Sequence, residues 1–268
     1  AIAIVMLYPF AYVVATSFAT PRAANSGTMF PTEYTLSAYR SLLSGDVVTR
    51  AMLVSVGVTG VGTILSVLFT VMTAYGLSRT RDVPGSKIAL YLVLFTMLFG
   101  SGIIPQYLLV KNLGLINSYW SLILPGMVSA FNLVVIRNFF MDIPKEMLES
   151  ARIDGAGELR ILTAIVLPLS KAVIAVIALF YAVGYWNSFF DGLLYLNDST
   201  KWPIQLVLEQ YVLLGSPLNQ LQNPNQPPPP AIAIQMAVVV LATAPILAVY
   251  PFAQRYFTKG VLTGAIKG

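Results

Sequence analysis

The chain contains neither cysteine nor histidine, and only 10% of its 268 residues are charged. Without cysteine there is no thiol nucleophile and no disulfide. Without histidine there is no imidazole base, and the usual zinc ligand sets are gone. No catalytic residue and no metal site is expected. The Gly-Lys dipeptide of a phosphate-binding loop is absent as well, so any energy from a nucleotide must come from another chain. A soluble domain would carry about 25% charged residues. A chain with less than half that fraction, 57% hydrophobic residues and a mean hydropathy of +0.75 cannot cover a globule with polar surface. A soluble enzyme is therefore excluded. Disorder is excluded too, because it requires low hydrophobicity and high net charge.

What is present is a set of long uncharged runs. A helix of about 20 residues crosses about 30 Å of hydrocarbon, and the charges cut the chain into six windows of that size. The fold class that follows is all-α: a single polytopic membrane domain over 1–268, with six transmembrane helices near 1–20, 51–78, 88–110, 117–137, 171–190 and 231–254. The first window is too long for a signal-peptide core of about 7–15 residues. This predicts that the chain begins inside its first helix, with a cytoplasmic segment before it. Placing the N-terminus inside puts eleven of the sixteen Lys and Arg on the cytoplasmic side, in accord with the positive-inside rule. Both termini are then cytoplasmic. The basic balance is accounted for by these loops, and no nucleic-acid partner is expected.

The outer segment after the fifth window ends in a Pro-rich run, Asn223–Pro230. Such a run extends as polyproline II, either as a rigid spacer or as an edge that touches an external partner. In the second window Ser55, Thr59, Thr63, Gly62 and Ser66 recur at four-residue spacing, a pattern that lets helices approach closely in lipid. None of the windows has an Asp, Glu, Lys or Arg in its interior. Proton-coupled carriers normally require such a group, so the chain has no obvious means of using an ion gradient.

The longest inner segment, 142–168, is where a separate motor would act. Asp142 and Pro144 signal a helix start and Gly155 a stop after Asp154. The first helix places Met147, Leu148 and Ala151 on one face and Lys145, Glu149 and Arg152 on the other. After a bend at Gly155–Gly157, Glu158 opens a second helix with Leu159, Leu162, Ile165 and Val166 on its apolar side. A helix-turn-helix on the membrane base, charges outward, is the expectation.

The spacing Glu149-Ser150-Ala151, Gly155, Ile165, Leu167-Pro168 resembles the loop of the binding-protein-dependent importer permeases, whose pattern differs only in an Ala where Ser150 stands. Tyr185-Trp186-Asn187-Ser188-Phe189-Phe190 and the ending Lys259–Gly268 narrow the resemblance to carbohydrate importers, at the position of the smaller permease of the maltose importer. The chain is also similar to permeases for acidic oligosaccharides, alginate importers among them. The resemblance implies a coupling loop (Glu149, Ser150, Ala151, Asp154, Gly155, Ile165, Leu167, Pro168) seated in a cleft of an ATPase. There Glu149 pairs with a basic group, Ala151 is small enough to sit low, and Gly155 turns the chain. It further implies a second, non-identical permease, two ATPase subunits, an extracytoplasmic solute-binding protein, and ATP and Mg on the ATPases, with no cofactor in this chain. The cell inner membrane is the implied location. The tail 259–268 either reaches between the ATPases or frays.

Sugars are held by aromatic faces and by amide or hydroxyl groups. Tyr181, Tyr185, Trp186, Asn187, Asn132 and Gln106 are the candidates along the path, with interfacial anchoring and helix bridging as the competing roles for the same residue types. A polar Asn in lipid must find a partner, so Asn132 and Asn187 are expected to face the interior or a cavity. Cations for an acidic sugar would have to come from a partner. A permease for a non-sugar solute, an ion-coupled carrier working alone and an assembly protein without a pore are the rival readings of the chain.

Overall fold

The structure, a computed structural model, describes residues 2–25, 31–79, 83–214 and 232–265. The Pro-rich run Asn223–Pro230, Arg81, Asp82 and the side chains of the tail 259–268 lie outside the described residues. Helix dominates: α1 (Ile2–Ser17), α2 (Asp46–Ser78), α3 (Ser86–Leu98), α4 (Ile103–Asn112), α5 (Ala130–Met141), α6 (Lys145–Ile153), α7 (Lys171–Trp186), α8 (Phe189–Tyr195), α9 (Ile204–Leu214) and α10 (Ile232–Ala265), with shorter helical turns between. Among the described residues the only β pairing is a single antiparallel bridge, Ala19–Tyr34.

The chain divides into two compact units, Ala1–Gly57 with Asn187–Ala248, and Val58–Trp186 with Val249–Gly268. In the first unit the turn after α1 is closed by Ser17 Oγ against Tyr39 Oη at 2.7 Å and by the tilted rings of Phe18 and Tyr39, 4.9 Å apart. Ser55 Oγ accepts from the Ile204 backbone N–H at 2.8 Å and so satisfies one of the orphan donors at the start of α9. Gly192 of α8 lies under Pro203, where a Cβ would come within 3.1 Å of its ring. Ile204, Leu206 and Val207 join Tyr195 in the core of this unit.

In the second unit α2 is the frame. It has 33 residues and an apolar window of which only 22% is buried, so most of its surface is fit for lipid or partner helices. The stretches 58–78 of α2, α5 and α7 surround a core of Val71, Ala74, Leu133, Ile136, Phe140, Ile177 and Trp186.

Every predicted window is occupied by helix, yet among the described residues only two helices are long and apolar enough to cross alone, α2 and Ile232–Val249 of α10. The third window is bent by 120° between α3 and α4 at Phe99–Gly102, where Gly102 takes φ +78°, a conformation that glycine adopts without steric cost. The fourth is interrupted: a short helix, Trp120–Ile123, stops before Pro125-Gly126, and α5 begins afresh at Ala130 with Ser129 as its cap. The fifth ends at Trp186, leaving Asn187 and Ser188 in a break before α8. The tail after Arg255 starts as backbone helix up to Ala265.

Candidate functional site

The coupling segment begins where expected. Pro144 stands at the cap position, α6 runs Lys145–Ile153, and Gly155 turns the chain at φ +83°. The Ala156 N–H donates to the Ala151 carbonyl at 2.9 Å and the Gly155 N–H to the Arg152 carbonyl at 3.0 Å. These two bonds form a Schellman closure, which requires the left-handed residue that Gly155 supplies. Glu149, Ser150, Asp154, Gly155 and Pro168 are exposed; Ala151, Ile165 and Leu167 are half-buried.

Two details of the predicted faces are corrected. Met147 is exposed, and α6 is anchored by Leu148 alone among its apolar side chains. In the second helix Leu159 is 74% exposed while Ile161, Leu162 and Val166 are buried. The cause is a π-helical turn over Leu162–Val166. An i→i+5 turn shifts the register by one residue, so Ile161 and Val166, five apart, share the buried face.

Glu158 opens the second helix and also gathers a polar group that no local pattern announces. Tyr75 Oη donates to Glu158 Oε2 at 2.5 Å, and Arg79 Nη2 donates to Tyr75 Oη at 2.8 Å. Arg152 places Nε and Nη2 on Glu158 Oε1 at 3.0 and 2.8 Å. The Arg79 guanidinium lies 4.8 Å over the Tyr75 ring and 3.7 Å from the carboxylate. The Tyr75 hydroxyl hydrogen bond, helped by the bonds and charges of the two arginines, holds the Glu158 carboxyl below the ordinary glutamate range against a smaller opposing effect of burial. Nearby, Arg137 Nε donates to the Leu77 carbonyl at 3.0 Å and so ties the last turn of α2 to α5.

Two of the path candidates are already engaged. Tyr181 Oη pairs with Thr70 Oγ1 at 2.7 Å and accepts from the Ser129 N–H at 2.9 Å. Tyr185 Oη pairs with Ser66 Oγ at 2.7 Å and donates to the Ile123 carbonyl at 3.2 Å. Both tyrosines are buried, and four residues separate each pair along α2 and α7, so the two helices are laced hydroxyl to hydroxyl. Trp186 and Asn132 are buried as well. Asn187, expected to face the interior or a cavity, lies just past the end of α7 and is exposed in the chain alone. Gln106, half-buried, lines a cavity of about 490 Å³ in the α3–α4 bend, together with Thr96, Phe99, Ser101 and Ile103. Among the described residues no three Asp or Glu side chains come together as a metal site.

A family model described as the binding-protein-dependent transport system inner membrane component matches residues 1–263. The chain is 49% identical to the polygalacturonan/rhamnogalacturonan transport system permease protein YtcP of Bacillus subtilis (strain 168), over 99% of this chain and 94% of that one. It is also 49% identical to Protein LplC of the same bacterium, over 98% of this chain and 90% of the relative. In structure it is similar, with a TM-score of 0.87 and 30% identity over 96% of this chain and 92% of the other, to a chain in a crystal structure of a bacterial ABC transporter involved in the import of the acidic polysaccharide alginate. With its helical membrane fold and its capped coupling segment, the chain belongs to the binding-protein-dependent transport system inner membrane components.

Proposed function

We propose that this chain is the membrane subunit of an ATP-driven importer for an acidic oligosaccharide of the galacturonan type. The observation that carries the substrate class is the match over 99% of the chain to a permease named for polygalacturonan and rhamnogalacturonan transport. The structural likeness to a chain of a transporter involved in the import of the acidic polysaccharide alginate supports it.

In this reading the whole chain works as one permease domain with both termini in the cytoplasm. It pairs with a second, non-identical permease, and an extracytoplasmic binding protein delivers the sugar. Two ATPase subunits bind ATP and Mg, so hydrolysis takes place outside this chain. The coupling helix is α6. A nine-residue helix is marginal on its own, and this one buries only Leu148 while exposing Met147, Ile153 and Glu149. An ATPase cleft would cover that apolar surface and pair Glu149, and rigid-body motion of the ATPases would then rock the membrane helices. Asn187 and Gln106 keep accessible polar groups for the sugar, whereas the hydroxyls of Tyr181 and Tyr185 serve as braces. The cations for the carboxylates come from the partners.

Glu149→Lys tests the reading. The variant is expected to enter the membrane but to lose co-purification of the ATPase and hydrolysis stimulated by the binding protein. Reversing a charge opposite a basic partner costs several kcal/mol, about 2–5. Normal stimulation in this variant would remove Glu149 from the interface. Uptake of a labelled oligogalacturonide that persists after deletion of this chain would remove the substrate class.

A further inference from the structure

The covalent path from the coupling helix to the fifth membrane helix is a poor lever. Beyond Glu158 the backbone passes through the π turn Leu162–Val166, then bends by 84° between Leu169 and Lys171 before α7 begins. A second connection leaves the chain at Glu158 and skips that corner. Its carboxylate divides its two oxygens between two elements: Oε1 takes both Arg152 bonds from α6, and Oε2 takes the Tyr75 hydroxyl of α2. Tension applied at Arg152 therefore crosses one planar group and arrives at Tyr75. Two nitrogens of one guanidinium converging on a carboxylate oxygen fix direction as well as distance.

The far side of the linkage is firmly held. Tyr75 sits edge-on to Phe140, ring centroids 6.4 Å apart, and under the Arg79 guanidinium. The Arg79 side chain is only 13% accessible. Arg137 fixes the Leu77 carbonyl in the same last turn of α2. A half-exposed ion pair adds little to static stability, so a group this well braced on one side is better suited to transmitting force than to holding the fold.

We propose that Glu158 is a positioning residue, the hub through which movement of α6 passes directly into α2 and which thereby sets how much substrate moves per ATP. This rests on the importer reading above. It gives Glu149 and Glu158 separate tasks: the first docks the motor, the second passes the motion inward.

The test uses the complete importer in proteoliposomes, with a radiolabelled oligogalacturonide as the probe and import and hydrolysis measured on the same sample. In Glu158→Ala, ATPase co-purification should match the parent, while import per ATP falls at least fivefold. Tyr75→Phe keeps the ring, its Phe140 contact and the Arg79 stacking but deletes the hydroxyl; it should lower the ratio about twofold. Tyr75→Phe combined with Glu158→Ala should be no worse than Glu158→Ala alone, since both break one link. Glu158→Asp, which keeps the charge, should recover part of the ratio. A merely structural role would lower import and hydrolysis together and leave the ratio unchanged, and that result would overturn the proposal. If Glu158→Ala does not assemble, Tyr75→Phe with the parental ratio overturns it instead. A parent complex whose hydrolysis ignores the binding protein would fail the importer reading itself, and that failure is visible before any variant is made.

Discussion

At position 62 a hydrogen atom is all that Tyr185 leaves room for. A Cβ built there would lie 2.8 Å from Cε2 of the ring, and the ring cannot swing away without leaving Ser66 and the Ile123 carbonyl. Gly60, two residues earlier and on the opposite side of the same helix, has nothing within 4 Å of its Cβ position. Overpacking costs about 1–3 kcal/mol, whereas Gly→Ala in an open helix position gains up to about 1 kcal/mol. Gly62→Ala should therefore lower the unfolding midpoint of the detergent-purified chain and Gly60→Ala should not, the two differing by about 2 kcal/mol. The tyrosines carry a related expectation. Tyr181→Phe strands the Thr70 hydroxyl and the Ser129 N–H, at a cost of about 1–2 kcal/mol in a membrane bundle. If Tyr181 is a brace, the variant loses stability while the KM for the sugar stays at the parental value; a raised KM with parental stability would return it to the substrate path.

At the scale of elements, the Glu158 group makes the coupling segment sensitive to acid, and the sign follows from its lowered pKa. A carboxyl depressed in the folded state adds stability above its unfolded value, near 4.5, and loses it as the pH falls through the lower folded value. Because the side chain is 53% accessible, solvent screening holds the contribution to about 1 kcal/mol or less. The difference in unfolding midpoint between the parent and Glu158→Gln should be constant at neutral pH and shrink progressively as the pH falls below 4.5, as read by thermal scans at each pH. A difference that grew on acidification would mean that the carboxyl is held neutral. The cap at Pro144, the stop at Gly155 and the apolar windows were all legible in the sequence, because each depends on neighbours along the chain. The break at Pro125-Gly126 was legible too, as a turn dipeptide inside a window, but charge spacing alone concealed it. The exposure of Leu159 was not, since the π turn that shifts Ile161 inward has no local residue signature. Nor was the Tyr75–Glu158 contact, which joins residues 83 positions apart and exists only once α2 and the coupling segment are packed.

For the whole molecule, the decisive property is which side of the membrane each loop occupies, and the absence of cysteine makes this measurable. In the importer reading proposed above, the six apolar windows and the Lys and Arg bias assign the coupling segment to the inside and the loops that hold Tyr34 and Thr200 to the outside. A single introduced thiol is then the only one in the chain, and three positions suit it. Ile153 is 86% exposed at the end of α6, Tyr34 is 62% exposed, and Thr200 is exposed beside Asp198. Asp198 already spends Oδ1 on the Thr200 N–H and hydroxyl, so Thr200→Cys gives up one of those bonds, whereas Tyr34→Cys and Ile153→Cys disturb less. In right-side-out spheroplasts a membrane-impermeant maleimide should label Tyr34→Cys and Thr200→Cys and leave Ile153→Cys unreacted until the membrane is opened. Adding the ATPase to opened membranes should then slow labelling at Ile153→Cys alone, because in the proposed importer α6 is the surface that it covers. Labelling of Ile153→Cys in sealed spheroplasts would put the coupling helix on the outer face, where no ATP-driven partner can reach it, and both the docking role of Glu149 and the relay through Glu158 would fall with it.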